Sequence, residues 1–163
     1  MTAPRGVQIP DLVQTLGGTL LAFGEARRGS CSDSAPTDLV VKRSADGGRS
    51  WSALQVVFAN STDSRAAVIG NAAPVVLRGS GRVLVPFCRD NRAVLVTHSD
   101  DDGRTWAPPR LLERAVEPGW QWVGTGPPAS LQLRGGRVVV PAYHSFVHRD
   151  GFLSRAHVLI SDD

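Results

Sequence analysis

Cysteine, lysine and long apolar runs are what this chain has least of. Its two cysteines, Cys31 and Cys88, are too few for a disulfide framework and have no CxxC spacing, so both read as free thiols. Of the 18 basic residues only Lys42 is a lysine. Arginine grips carboxylates in a bidentate fork, which suits anionic ligands, although a biased base composition of the gene explains the usage more simply. The formal net charge is only +3, and the basic residues are scattered with no aromatic platform beside them, so nucleic acid is not an expected partner. No apolar run approaches the ~20 residues of a membrane span. Residues 1–10 hold no apolar segment of signal-peptide type, so the location is open; the cytoplasm is expected unless an export signal was lost upstream. Helical 3.6-residue periodicity is missing too.

What is there is turn chemistry between short apolar runs. Glycine (17) and proline (11) are plentiful, as in all-β chains. One stretch is said twice: Ser44-Ala45-Asp46-Gly47-Gly48-Arg49-Ser50-Trp51 returns as Ser99-Asp100-Asp101-Asp102-Gly103-Arg104-Thr105-Trp106. A third copy opens at Ser161-Asp162-Asp163. Each follows an apolar run, 39–41, 94–96 or 158–160, so each reads as a strand entering a polar hairpin turn. The defining residues of these Asp boxes are Ser44, Asp46, Gly48 and Trp51, then Ser99, Asp101, Gly103 and Trp106, then Ser161 and Asp163. Their role is expected to be structural.

The copies recur every ~55–62 residues, about the size of one supersecondary unit in a repeat array. Strands are expected at 8–15, 19–25, 38–43 and 53–58, then at 74–77, 82–88, 93–98 and 109–112, and finally at 131–133, 137–143 and 155–161. The run 76–86 parallels 132–141 outside the boxes as well. Four-stranded antiparallel meanders at this period predict blades of a β-propeller, about three of them: 8–58, 73–112 and an incomplete 130–163. One partial propeller domain then spans 1–163. Chemistry belongs where inner strands and their loops converge on the axis, at residues 8–10, 26–38, 69–74, 123–128 and 143–149.

At these segments the chain resembles the sialidase (neuraminidase) family, six-bladed propellers carrying Asp boxes. Leu20-Leu21-Ala22-Phe23-Gly24-Glu25-Ala26-Arg27 is similar to that family's LLAFAEAR segment, and Ser30-Cys31-Ser32-Asp33 falls in its acid-bearing loop. Asn71-Ala72-Ala73-Pro74, Gly126-Pro127 and Val140-Pro141-Ala142-Tyr143 match further segments in family order. The resemblance implies an exo-α-sialidase, a glycoside hydrolase that releases terminal sialic acid from a sialylated glycoconjugate without metal or cofactor. Asp33 then falls at the general acid, with Asp38 as the fallback, and Arg27, Asn71 and Tyr143 fall around the sugar. The family's nucleophile, a tyrosine backed by a glutamate, would come from later blades, as would two arginines of the carboxylate-gripping triad.

Two departures count against full activity. The family's Arg-Ile-Pro is Gln8-Ile9-Pro10 here, which exchanges a charged fork for a neutral amide at a sugar-binding position. Its GPGH is Gly126-Pro127-Pro128-Ala129. The chain is thus expected to be the N-terminal part of a propeller, impaired or inactive alone. The rival is a non-catalytic Asp-box propeller that binds glycans or proteins. No P-loop, dinucleotide fingerprint or zinc spacing is present.

Overall fold

The computed structural model describes residues 4, 6–59, 67–127 and 129–162. All regular structure among them is strand. β1 (Gly6–Gln14), β2 (Leu20–Arg27), β3 (Thr37–Ser44) and β4 (Gln55–Phe58) form a four-stranded sheet in that order. β5 (Ile69–Gly70) and β6 (Val75–Val76) both pair with β7 (Val83–Arg89), which pairs with β8 (Ala93–Ser99) and onward to β9 (Arg110–Leu111). In the third sheet β10 (Trp120–Thr125) and β11 (Leu131–Gln132) share one side of β12 (Val138–His148), and β13 (Gly151–Ser161) lies on the other. Every pairing within these sheets is antiparallel. No helix long and apolar enough to cross a membrane occurs among the described residues.

The repeat is visible in the registers. Ser44, Ser99 and Ser161 pair with Leu20, Val83 and Val138, so the two central strands of each sheet stand in equivalent register. Three differences from the expected strands share a cause in backbone chemistry. The innermost strands of the second and third sheets are split, and β1 slips register between Gln8 and Asp11. At the breaks stand Ile9 (φ 50°), Asn71 (φ 57°) and Gly126 (φ 58°), left-handed residues that cannot continue a ladder. The expected loops 69–74 and 123–128 therefore begin as strands. Residues 143–148 are likewise no loop: β12 runs on to His148, paired with β13 along its whole length, and Gly151 (φ 114°) opens β13 after a two-residue turn.

Sheets pack face to face in chain order. Leu21, Phe23, Leu39 and Val41 of the first meet Ile69, Val83, Val85 and Phe87 of the second, all buried. Ala73, Val75 and Leu84 of the second meet Val138, Val140 and Leu159 of the third, with Cys88 and Val94 against Val123 nearby. At ~1.5–3 kcal/mol per fully buried aliphatic or phenyl side chain, these seams dominate the stability of the stack.

The boxes close the β3–β4 and β8–β9 turns with the same bonds twice. Ser44 donates to Asp46 (2.8 Å) and accepts from the Gly48 amide (2.8 Å), while Asp46 accepts the Ser50 amide (2.9 Å) and hydroxyl (2.6 Å). Ser99, Asp101, Gly103 and Thr105 repeat this at 2.7, 2.9, 2.8 and 2.7 Å. The third copy is in step as far as it is described: Arg137 pairs with Asp162 at 2.5 Å as Arg82 pairs with Asp100 at 2.7 Å. Asp163 lies outside the described residues.

Bonds from Ser50 and from Thr105 hold Asp46 and Asp101 down at about 2. An unfolded aspartate titrates near 3.9, so the unfolded chain takes up protons first and stability should fall as pH drops from ~5 toward 2. Acid unfolding followed by circular dichroism should show this slope, and Asp101→Asn should flatten it. An unchanged slope would remove the boxes from the chain's acid sensitivity.

Candidate active site

The site lies at the strand ends farthest from the boxes. β2 starts opposite Ser44 and ends at Arg27, ~23 Å away at ~3.3 Å per residue. Arg27 is only 3% exposed and bonds through its two terminal nitrogens, while its Nε is buried without a partner among the described residues. Nη2 donates to Glu25 Oε2 (3.0 Å), and Nη1 donates to the Cys31 carbonyl (2.8 Å) and pairs with Asp33 Oδ1 (2.6 Å). Burial alone would lower the guanidinium's pKa; bonds and charges from Glu25 and Asp33 outweigh that, and the net direction is up.

Arg27 thus pulls the 28–36 loop onto the end of β2. The loop is closed at its base by the Arg28 amide on the Pro36 carbonyl (2.8 Å). Asp33 stands at its tip with 94% of its side chain exposed, touching protein through Arg27. Asp38, the fallback acid, is buried and taken by Arg28, whose Nε and Nη2 both donate to the same carboxylate oxygen. Of the two aspartates, Asp33 is the one presented to solvent.

Asn71 and Tyr143 arrive from the second and third sheets. The Asn71 amide donates to Glu25 Oε1 (2.9 Å), its carbonyl accepts the Thr125 hydroxyl (2.5 Å), and its side-chain oxygen accepts Asn91 Nδ2 (3.0 Å). Asn91 also donates to the Val123 carbonyl (3.1 Å). One left-handed residue therefore ties three sheets together. Tyr143, 36% exposed, lies against the Trp122 ring (centroids 4.5 Å apart), with the Asn71 side chain acting on its phenol. Burial raises its phenol, the Cys88, Glu25 and Asp33 charges add to this, and the Asn71 bond opposes it. Cys88, pushed up to about 11 by burial, is a packing residue whose sulfur accepts the Thr125 amide (3.3 Å). Gln8, half-buried, pairs with Glu25 across β1–β2.

Arg27, Asp33, Asn71 and Tyr143 thus converge, with Gln8 on the adjoining strand. Sequence reasoning missed Glu25, treating it only as part of a motif. The signal was available: counted from the residue opposite each box serine, Glu25, Cys88 and Tyr143 hold the same position in β2, β7 and β12. No cluster of metal-ligating side chains occurs among the described residues. Chemically, the arrangement offers one exposed carboxyl, a guanidinium, an amide and a phenol, a set suited to sugar hydroxyls and a proton transfer.

The family described as a BNR repeat-like domain matches residues 18–163. An exo-alpha-sialidase of Aspergillus fumigatus is 31% identical over 168 residues, covering 83% of this chain and 40% of that protein. Sialidase-3 of Bos taurus is 29% identical over 98% of this chain and 44% of its own length. The chain therefore spans about two fifths of these relatives. Among solved structures, the Hadza microbial sialidase Hz136 superposes with a TM-score of 0.87 at 24% identity, over 99% of this chain and 36% of that one, which shows a shared fold. The chain belongs to the sialidase, BNR-repeat family.

Proposed function

We propose that this chain forms the acid-bearing part of an exo-α-sialidase, a glycosidase that releases terminal sialic acid from glycoconjugates. The observation that carries the reading is the meeting of exposed Asp33 with Arg27, Asn71 and Tyr143 at one end of three sheets. Cleavage of a sialoside passes through an oxocarbenium-like transition state, and the departing oxygen needs a proton. The exposure of the Asp33 carboxyl supports it as the donor. A sugar hydroxyl that takes over Arg27 Nη1 frees the Asp33 carboxyl from its ion pair at the moment the acid is needed. Asn71 and Tyr143 offer the sugar amide and phenol contacts from the facing sheets. Gln8 meets it with a neutral amide, so the substrate carboxylate is gripped less tightly than by an arginine.

Hydrolysis of a fluorogenic α-sialoside tests this, on the chain and on a form extended through its reading frame, with a fluorogenic glycoside lacking the carboxylate as control. Turnover confined to the sialoside is expected. Gln8→Arg should raise kcat/KM roughly 10- to 100-fold, the worth of one charged hydrogen bond. No turnover in any form, including Gln8→Arg, would leave the rival reading, a propeller that binds glycans or proteins without cleaving them.

A further inference from the structure

We infer that Glu25 is the positioning residue of this site, its one buried carboxylate holding the Arg27 guanidinium on one oxygen and the Asn71 amide on the other. The role in sugar binding rests on the glycosidase reading; the clasp itself does not. Glu25 is 5% exposed, and both its oxygens are used, Oε2 within the first sheet and Oε1 across to the second. Space around it is reserved: a Cβ on Gly70, the residue before Asn71, would collide with the Glu25 carboxylate. The side chain that fixes Arg27, and through it the Asp33 loop, therefore also fixes Asn71, the residue that faces the Tyr143 phenol. At the site end of the seam one side chain thus links the acid's sheet to the sheet that carries Asn71.

The same device recurs one sheet on. Cys88, at the position equivalent to Glu25, accepts the Thr125 amide through its sulfur, as Glu25 accepts the Asn71 amide. At Cys88 the link is neutral and joins sheets only. At Glu25 it carries a charge and reaches a second partner, Arg27, which is what separates a site element from a packing element.

Tyr143 is the chain's only tyrosine, so its ionisation can be followed by tyrosinate absorbance with no competing phenol. Three variants of the chain decide the matter. Glu25→Gln removes the charge, and the Tyr143 midpoint should fall. Glu25→Asp keeps the charge on a stem one methylene shorter that cannot reach both partners. The midpoint should then stay high while the Asn71 amide exchanges with solvent faster. Glu25→Ala should speed that exchange roughly 10- to 100-fold, with amides of the distant Asp boxes unchanged. Titration of each variant with N-acetylneuraminate should show weakened binding alongside. A Tyr143 midpoint and an Asn71 exchange rate indifferent to all three substitutions would overturn the inference, and so would equal acceleration at every amide. If the unaltered chain and its extended form neither bind nor cleave the sugar, the glycosidase reading fails, while the spectroscopic result still decides whether Glu25 is the clasp.

Discussion

Replacing Asp33 with alanine is expected to slow hydrolysis of an alkyl-linked sialoside by roughly 10²–10⁴-fold, the usual worth of a positioned general acid. An aryl sialoside, whose phenolate departs without help, should lose far less. That difference isolates proton donation from sugar binding, because both substrates present the same sialic acid to the site. The fold should change little: Asp33 is 94% exposed, and its buried partner Arg27 keeps the Glu25 carboxylate and the Cys31 carbonyl. Melting temperature therefore serves as the internal control. Arg27 permits no such separation, since removing its buried guanidinium would leave the Glu25 carboxylate without its counter-ion. Equal loss on alkyl and aryl substrates would show that Asp33 holds the sugar or its loop and protonates nothing.

Much of this arrangement is legible in the chain because its signals are local. A box serine, two residues from its aspartate and four from its glycine, specifies its own hydrogen bonds, and the apolar run before it specifies the strand. Arg27 and Asp33 come from the family resemblance of residues 20–33; their contact is short-range, Arg27 ending β2 and Asp33 standing six residues on in the loop that follows. What stays hidden depends on other sheets. Glu25 looks like a polar residue in an apolar strand until Asn71 is placed beside it, 46 residues on. The split inner strands are hidden differently: Ile9 and Asn71 adopt left-handed φ under tertiary constraint, where glycine would have announced the break. β10 escapes notice because only Trp120-Gln121-Trp122 alternates before Val123-Gly124-Thr125, and its burial comes from neighbours, Trp120 stacking on His144 at 3.8 Å.

The two box tryptophans separate what a motif specifies from what its surroundings add. Trp51 folds back on its own turn, donates to the Gly48 carbonyl (3.2 Å) and remains 38% exposed. Trp106 holds the same place in the second copy, yet it enters the seam between sheets, edge-on to Phe23 at 5.6 Å, with Gly103 against Leu21. Trp106→Ala should therefore cost about 3 kcal/mol or more in urea unfolding, as large core truncations do, and Trp51→Ala about 1 kcal/mol. Trp106→Phe refines the test. The Trp106 indole nitrogen is buried with no partner among the described residues, so phenylalanine keeps a ring on Phe23 and removes an unpaired donor, and the change should stay within about 1 kcal/mol. Equal losses for the two alanine variants would mean that each ring stabilises only its own hairpin, and that the sheets are held together by the aliphatic seams alone.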